Sequence, residues 1–122
     1  MRDYKKLLVW EKSHQLTLEI YKVLSDFPKE EMFGLISQMK RSSSSIPTNI
    51  AEGSGRFSNK DFARFLSIAY GSCNELEYQI ILSVDLNYLD VLKGNYLIEK
   101  AQEIRKMLYA LINKQNTSET DH

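Results

Sequence analysis

Apolar residues recur at intervals of three and four along most of this chain, and that spacing is the period of an α-helix. Residues that interrupt helices are scarce, because the 122 positions include only five glycines and two prolines. No Asn-Gly or Asp-Gly hairpin turn occurs, and no segment sustains the alternation of apolar and polar residues that a strand shows. The sequence therefore predicts an all-α protein.

Four segments carry the helical spacing, and short connections separate them. The first segment ends at Phe27-Pro28, because proline disfavours helical geometry at the residue before it. Ser58 and Asp61 have the spacing of a capping box and start the third segment. Four amphipathic segments with short connections predict an antiparallel, up-down four-helix bundle that forms a single domain over residues 1–115. The predicted helices span residues 7–25, 29–53, 59–87 and 91–115, and residues 116–122, which include no apolar side chain, are predicted to be a disordered tail.

Pro47 lies inside the second predicted helix. An interior proline has no N–H to donate, so the carbonyl of Ser43 loses its helical partner. The apolar spacing stays in phase on both sides of the proline, which predicts one helix that is kinked near Pro47 rather than two shorter helices. The hydroxyls of residues 42–45, all serine, are expected to bond the carbonyls that the proline disturbs. Gly53 and Gly55 are expected to turn the chain after this helix.

The composition limits which classes of protein fit. Sixteen basic and sixteen acidic side chains give a formal charge of zero, which argues against a strongly basic protein of the histone type. The longest uncharged stretches are about half the ~20 residues that a membrane span needs. The N-terminal segment is too polar for a signal peptide, and the single cysteine, Cys73, excludes an internal disulfide. We expect a cytoplasmic protein that makes no contact with a membrane.

Few residues offer catalytic or metal-binding chemistry. The chain lacks a GxxxxGK[ST] phosphate loop, and metal ligands are scarce, since the only histidines are His14 and His122 and the second lies in the predicted tail. We therefore expect no metal, no cofactor and no enzymatic activity. Four polar residues leave open the alternative of an acid–base or ligand site. Asn49 and Glu52 share a face of the second helix, as Ser72 and Glu75 do on the third. If those faces meet, the four form either an acid–base or ligand site or, as we favour, a network that sets helix register or contacts another subunit.

Basic residues gather around the end of the second helix, although the chain as a whole is neutral. Cationic side chains of this kind bind phosphates, and Phe57 and Phe62 lie between them in the sequence, where aromatic rings can stack on bases. The alternative is a solvated face whose charges form salt bridges between subunits. The residues predicted to contact the phosphates of a nucleic acid are Lys40, Arg41, Arg56, Lys60 and Arg64.

The second and third helices also carry a recognisable pattern. Residues 45–53 read Ser-Ile-Pro-Thr-Asn-Ile-Ala-Glu-Gly and precede Gly55-Arg56, and Gly71-Ser72 precedes Glu75-Leu76. This pattern resembles the four-helix-bundle proteins that are encoded in 23S rRNA intervening sequences, a family also described as ribosomal proteins. The resemblance covers about residues 4–112. The chain departs from the pattern at residues 42–44, where serines replace the small apolar residues that are common in the family.

The resemblance implies an antiparallel four-helix bundle that assembles into a ring-shaped homopentamer. The family is also similar to the accessory protein of diversity-generating retroelements, a pentameric bundle that binds nucleic acid through basic residues. No enzymatic activity follows from the resemblance. It implies a homo-oligomeric binding or scaffold protein whose partners are copies of itself and RNA or ribosomal components. The alternatives are a protein-interaction scaffold that binds no nucleic acid and, further from the pattern, an enzyme built on Asn49, Glu52, Ser72 and Glu75.

Overall fold

The computed structural model describes residues 2–120, and within them the side chains of residues 2–117. This part of the chain forms four long α-helices and no strand. Helices that follow one another along the chain pack side by side, and the last helix closes the bundle against the first. The prediction of an antiparallel, up-down four-helix bundle is confirmed. The helices are α1 (Leu8–Leu24), α2 (Leu35–Ser54), α3 (Asn59–Asp85) and α4 (Val91–Thr120), with short 3-10 turns at Tyr4–Lys6 and Lys29–Glu31.

Two predicted helix boundaries differ from the structure. The second helix begins at Leu35 rather than at residue 29, because residues 29–31 form a separate 3-10 turn and Gly34 precedes α2 with a non-helical backbone. The fourth helix continues to Thr120, five residues beyond the predicted limit at residue 115. Residues 121–122, the rest of the predicted tail, lie outside the described residues.

Each helix turns one apolar stripe towards the common core. Burial of a Leu, Ile or Phe side chain contributes about 1.5–3 kcal/mol, so these stripes supply most of the driving force for packing the helices together. None of the helices within the described residues combines the length and the apolar character that a membrane crossing requires. The largest fully buried side chains are those of Leu16, Ile20, Met39, Ile46, Ile50, Phe62, Leu66, Leu76, Ile80, Leu97, Ile104 and Leu108.

The α2 helix runs through Pro47 without a break, which confirms the single helix predicted across this residue. The carbonyl of Ser43, which would otherwise accept from the N–H of residue 47, lies 2.9 Å from the Oγ1 of Thr17 in α1. The same hydroxyl lies 2.8 Å from the carbonyl of Ser13, so its one proton is within reach of two acceptors. Since Thr17 and Ser43 are both buried, water cannot easily replace this bond.

The serine hydroxyls of α2 do not make the bonds expected from the sequence. The hydroxyls of residues 42–44 lie 3.2–3.4 Å from the carbonyls of residues 39–41, three positions earlier in the helix. Those carbonyls precede the one that Pro47 leaves without a helical donor. The expectation that these serines compensate for the proline is therefore wrong, and the compensating donor comes from the neighbouring helix.

Gly53 allows α2 and α3 to approach each other closely. It lies inside the last turn of α2 and is buried, so the expectation that it turns the chain is wrong. A Cβ atom at this position would lie 2.6 Å from the Cβ of Phe65 and 3.1 Å from the Cδ1 of Phe62. Gly55 caps the helix in a right-handed conformation, and a Cβ there would meet only the carbonyl of Glu52, at 3.5 Å. The absence of a side chain at Gly53 therefore sets the distance between the two helices at their shared turn.

We predict that Thr17→Val lowers the free energy of unfolding by about 1–3 kcal/mol, because it leaves the buried Ser43 carbonyl without a partner. In a Pro47→Ala background the same substitution should cost much less, since the N–H of residue 47 can then bond to Ser43. Urea unfolding of the two single variants and the double variant measures the coupling. An equal loss in both backgrounds would contradict this role for Thr17.

Candidate nucleic-acid interface at the turn between α2 and α3

Residues 55–58 join α2 to α3 and determine where the basic side chains lie. The N–H of Arg56 donates to the carbonyl of Gly53 at 3.0 Å, which closes the end of α2. The Oγ of Ser58 accepts from the N–H of Asp61 at 3.0 Å, which caps the start of α3. The turn is therefore held by hydrogen bonds on both sides of Phe57.

Two arginines of this turn lie against the same aromatic ring. The guanidinium carbons of Arg56 and Arg64 are 4.6 and 4.4 Å from the ring centroid of Phe65, whose own side chain is buried. Arg64 donates to Asp61 at 2.9 Å, and Arg56 donates to Glu52 at 3.1 Å and lies 3.7 Å from Asp61. The ring and the carboxylates together hold both guanidinium groups in defined positions at the surface.

Arg2 joins this site from the N-terminal end of the chain. It donates through Nη1 to the carbonyl of Arg56 at 2.8 Å and through Nη2 to the side chain of Asn59, and its guanidinium carbon lies 4.4 Å from the ring centroid of Phe62. The sequence analysis missed Arg2 because it lies 54 residues from Arg56 and belongs to no local motif. The sequence offered one signal for a role of Arg2 in this site, its positive charge shortly before the first helix.

The structure does not bring all five predicted phosphate contacts together. Lys40 and Arg41 are exposed near the middle of α2, and Lys40 lies 5.3 Å from the ring centroid of Tyr21. About 20 Å of helix separates Arg41 from Ser54 at the end of α2, at 1.5 Å per residue. Lys60, in contrast, is exposed in the first turn of α3. We use the name turn cluster for the group formed by Arg2, Arg56, Lys60 and Arg64.

The turn cluster is positive in a chain whose formal charge is zero. Its three arginines exceed the two carboxylates that pair with them, those of Glu52 and Asp61. The exposed fraction of the paired side chains ranges from 35% for Asp61 to 58% for Arg64, with Arg56 and Glu52 between these values. Ion pairs with this much exposure contribute little to stability. An arginine here can therefore exchange a carboxylate for a phosphate at low energetic cost.

The predicted polar residues are divided between three sets of contacts. Asn49 donates through Nδ2 to the Oγ of Ser45 at 3.0 Å, and that Oγ lies 2.8 Å from the Oγ of Ser72. Asn49 and Ser72 are thus joined through Ser45, across the interface between α2 and α3. All three side chains are half-buried.

The two predicted acids do not converge. Glu75 accepts from the Nε2 of Gln79 at 3.2 Å, and the Oε1 of Gln79 accepts from Ser42 at 2.6 Å. Glu52 pairs instead with Arg56 at the end of α2. The four residues that the sequence placed in one network therefore do not share one pocket within this chain.

The single cysteine, Cys73, is buried in the core. Burial raises the pKa of the Cys73 thiol to about 12, so the group stays protonated and is a poor nucleophile at neutral pH. Among the described residues, no three His, Cys, Asp or Glu side chains lie close enough together to hold a metal ion.

A cavity of about 290 Å³ lies between α1 and α4, and charged side chains line it. Lys12 lies 2.5 Å from the Oε1 of Glu103, and this hydrogen bond lowers the pKa of the Glu103 carboxyl. The hydroxyl of Tyr96 donates to Glu19 at 3.1 Å, which raises the pKa of Tyr96. The cavity lining includes both acids and bases, three glutamates and two lysines.

Comparison with known proteins places this fold in a family. Residues 5–110 match the family of 23S rRNA-intervening sequence proteins. The chain belongs to this family. A crystal structure of an S23 ribosomal protein family member from Bacteroides thetaiotaomicron, a protein of unknown function, is 30% identical and superposes with a TM-score of 0.78. The match covers 86% of this chain and 98% of that one. The comparison with curated proteins gives no match.

We predict that Lys12→Met raises the pKa of Glu103, as measured by a pH titration of its carboxyl resonance. Because the folded-state pKa is lowered in the wild-type protein, the ion pair stabilises the fold above the carboxyl's unfolded-state pKa. That stabilisation disappears as pH falls through the lowered value, so wild type should lose more stability in acid than Lys12→Met. Lys29→Met, which removes an exposed lysine elsewhere, serves as the control. An unchanged Glu103 titration in Lys12→Met would contradict the assignment.

Proposed function

We propose that this member of the 23S rRNA-intervening sequence family is a cytoplasmic, homo-oligomeric binding protein. It binds RNA or a ribonucleoprotein through the turn cluster and has no enzymatic activity. The observation that carries the proposal is the placement of three arginines against two aromatic rings at one end of a neutral bundle. A ring packed against one face of a guanidinium leaves the N–H groups at its edge able to donate, and those not bonded within the protein can donate to phosphate oxygens.

The local charge supports binding at this end in particular. A protein with no net charge has little long-range attraction for a polyanion, so its affinity must come from a few close contacts. The turn cluster supplies such contacts within one turn and the adjoining helix ends. Its acidic partners, the exposed Glu52 and the half-buried Asp61, can release the arginines to a phosphate.

We expect the protein to bind structured ribosomal RNA fragments with an affinity that falls as salt increases. Log affinity falls with log salt, and each lost phosphate contact makes this slope less steep by about 0.7–0.9. Arg56→Ala with Arg64→Ala should therefore reduce that slope by roughly two contacts. Titration by fluorescence anisotropy at several salt concentrations measures this.

A matched control removes two positive charges from the other end of the bundle. Lys22 and Lys29 are exposed near the end of α1 and in the following 3-10 turn, so Lys22→Ala with Lys29→Ala changes the net charge equally. Equal weakening by both pairs would indicate a general charge effect and contradict a local site. Absence of binding by the wild-type protein at low salt would contradict the RNA proposal itself.

Self-association is supported by the outer face of α2 and α3. Ile68 and Tyr78 are 43% and 61% exposed on α3, and a Cβ atom at Gly71 would meet nothing within 4 Å. Asn49 and Ser72 are half-buried beside them, with polar groups at the surface. Apolar side chains around a glycine leave room for a helix of another subunit to approach. We propose a pentamer that uses this face.

We predict a mass in light scattering of about 71 kDa, five times the 14.2 kDa chain. Gly71→Arg should lower this mass, because the open space above Gly71 tolerates the side chain within one chain but not at a subunit contact. Asn95→Arg, at an exposed position of α4, adds the same side chain as a control. A pentamer that persists in Gly71→Arg would contradict the proposed face, and a monomeric wild type would contradict the oligomer.

A further inference from the structure

Phe57 is the most exposed large apolar side chain among the described residues, at 96%. It lies in the turn between α2 and α3, while its aromatic neighbours Phe62 and Phe65 are buried beneath arginines. Burial of a phenyl ring is favourable, and a polar residue would serve equally well to connect the helices. The hydrogen bonds on both sides of Phe57 hold the backbone of the turn, so the ring is presented from a fixed base.

Phe33, another highly exposed phenylalanine, provides a comparison for the charged surroundings of Phe57. Phe33 is 91% exposed at the opposite end of the bundle, just before α2 begins. Glu30 and Glu31 precede Phe33 in the sequence, whereas Phe57 follows Arg56 and lies within the turn cluster. The two rings are similarly exposed, but Phe57 directly follows an arginine of the turn cluster whereas Phe33 follows Met32 and two glutamates.

We propose that Phe57 stacks on an unpaired base of an RNA strand whose phosphates contact the turn cluster. The proposal rests on the RNA binding proposed above and specifies its substrate class, which is single-stranded rather than duplex RNA. A base within a duplex is covered on both faces by its neighbours, so an aromatic side chain can stack only on a base that has left the helix. A ring flanked by cations suits such a strand, because the base and its phosphate are bound side by side.

The arrangement favours an RNA strand over an apolar protein surface. A protein partner would have to supply an apolar surface for Phe57 and acidic groups for the arginines of the turn cluster from separate side chains. An RNA strand supplies both a flat ring and the negative charge from a single nucleotide. Stacking also needs no particular base, because every base presents a π-face.

The experiment compares an unstructured single-stranded RNA oligonucleotide with a duplex of the same length, using the intact protein at low salt. Phe57→Ala should weaken binding of the single strand by roughly 5- to 150-fold, the contribution of one stacked base. It should leave duplex affinity and the salt slope unchanged. Phe57→Trp should restore single-strand binding and Phe57→Leu should not, because a leucine side chain is apolar but cannot stack. Phe33→Ala is the matched control and should bind as the wild-type protein does.

The outcomes distinguish this proposal from the one on which it rests. If Arg56→Ala with Arg64→Ala weakens binding but Phe57→Ala does not, stacking is overturned and the phosphate site stands. If Phe57→Leu binds the single strand as tightly as wild type, any apolar side chain suffices, which overturns base stacking. If the wild-type protein binds neither RNA at low salt, both proposals fail. Since the Phe57 side chain is almost fully exposed, its substitutions should leave the helical circular dichroism unchanged.

Discussion

The hydrogen bond from Thr17 to the carbonyl of Ser43 allows α2 to continue through a proline. Pro47 removes a donor from the interior of this helix, and a buried carbonyl without a partner destabilises the fold. Because the compensating hydroxyl comes from α1, the continuity of α2 depends on how the first two helices pack. Arg56 and the turn after α2 are positioned by the half of the helix that follows Pro47.

The turn after α2 shows how a neutral chain can carry a positive site. Gly53 lets the Cβ of Phe65 approach the backbone of α2, and the ring of Phe65 then lies beneath the guanidinium groups of Arg56 and Arg64. Close helix packing and the arrangement of the arginines therefore have a common cause. The ion pairs with Asp61 are exposed and weak, so they orient the arginines without preventing them from binding an anion.

The chain belongs to the 23S rRNA-intervening sequence family. The polar residues that lie close together in its sequence pattern form two separate groups of contacts in the structure. Asn49 and Ser72 meet through Ser45 between α2 and α3, whereas Glu52 pairs with Arg56 at the turn. The first group joins two helices within the bundle, and the second lies beside the proposed RNA contact. The two acids of the pattern therefore make separate contacts, Glu52 with Arg56 and Glu75 with Gln79.

The four helices, their order and their inward faces could be predicted from the chain, because helical spacing and the capping residue Ser58 are local properties. Arg56, Lys60 and Arg64 could be placed near one turn, since they are close in sequence. The bond from Thr17 to Ser43, the presence of Arg2 at the site and the separation of Lys40 and Arg41 from it depend on how the helices pack. Those contacts join residues far apart in the chain, and their partners are chosen by how the helices pack rather than by any local pattern.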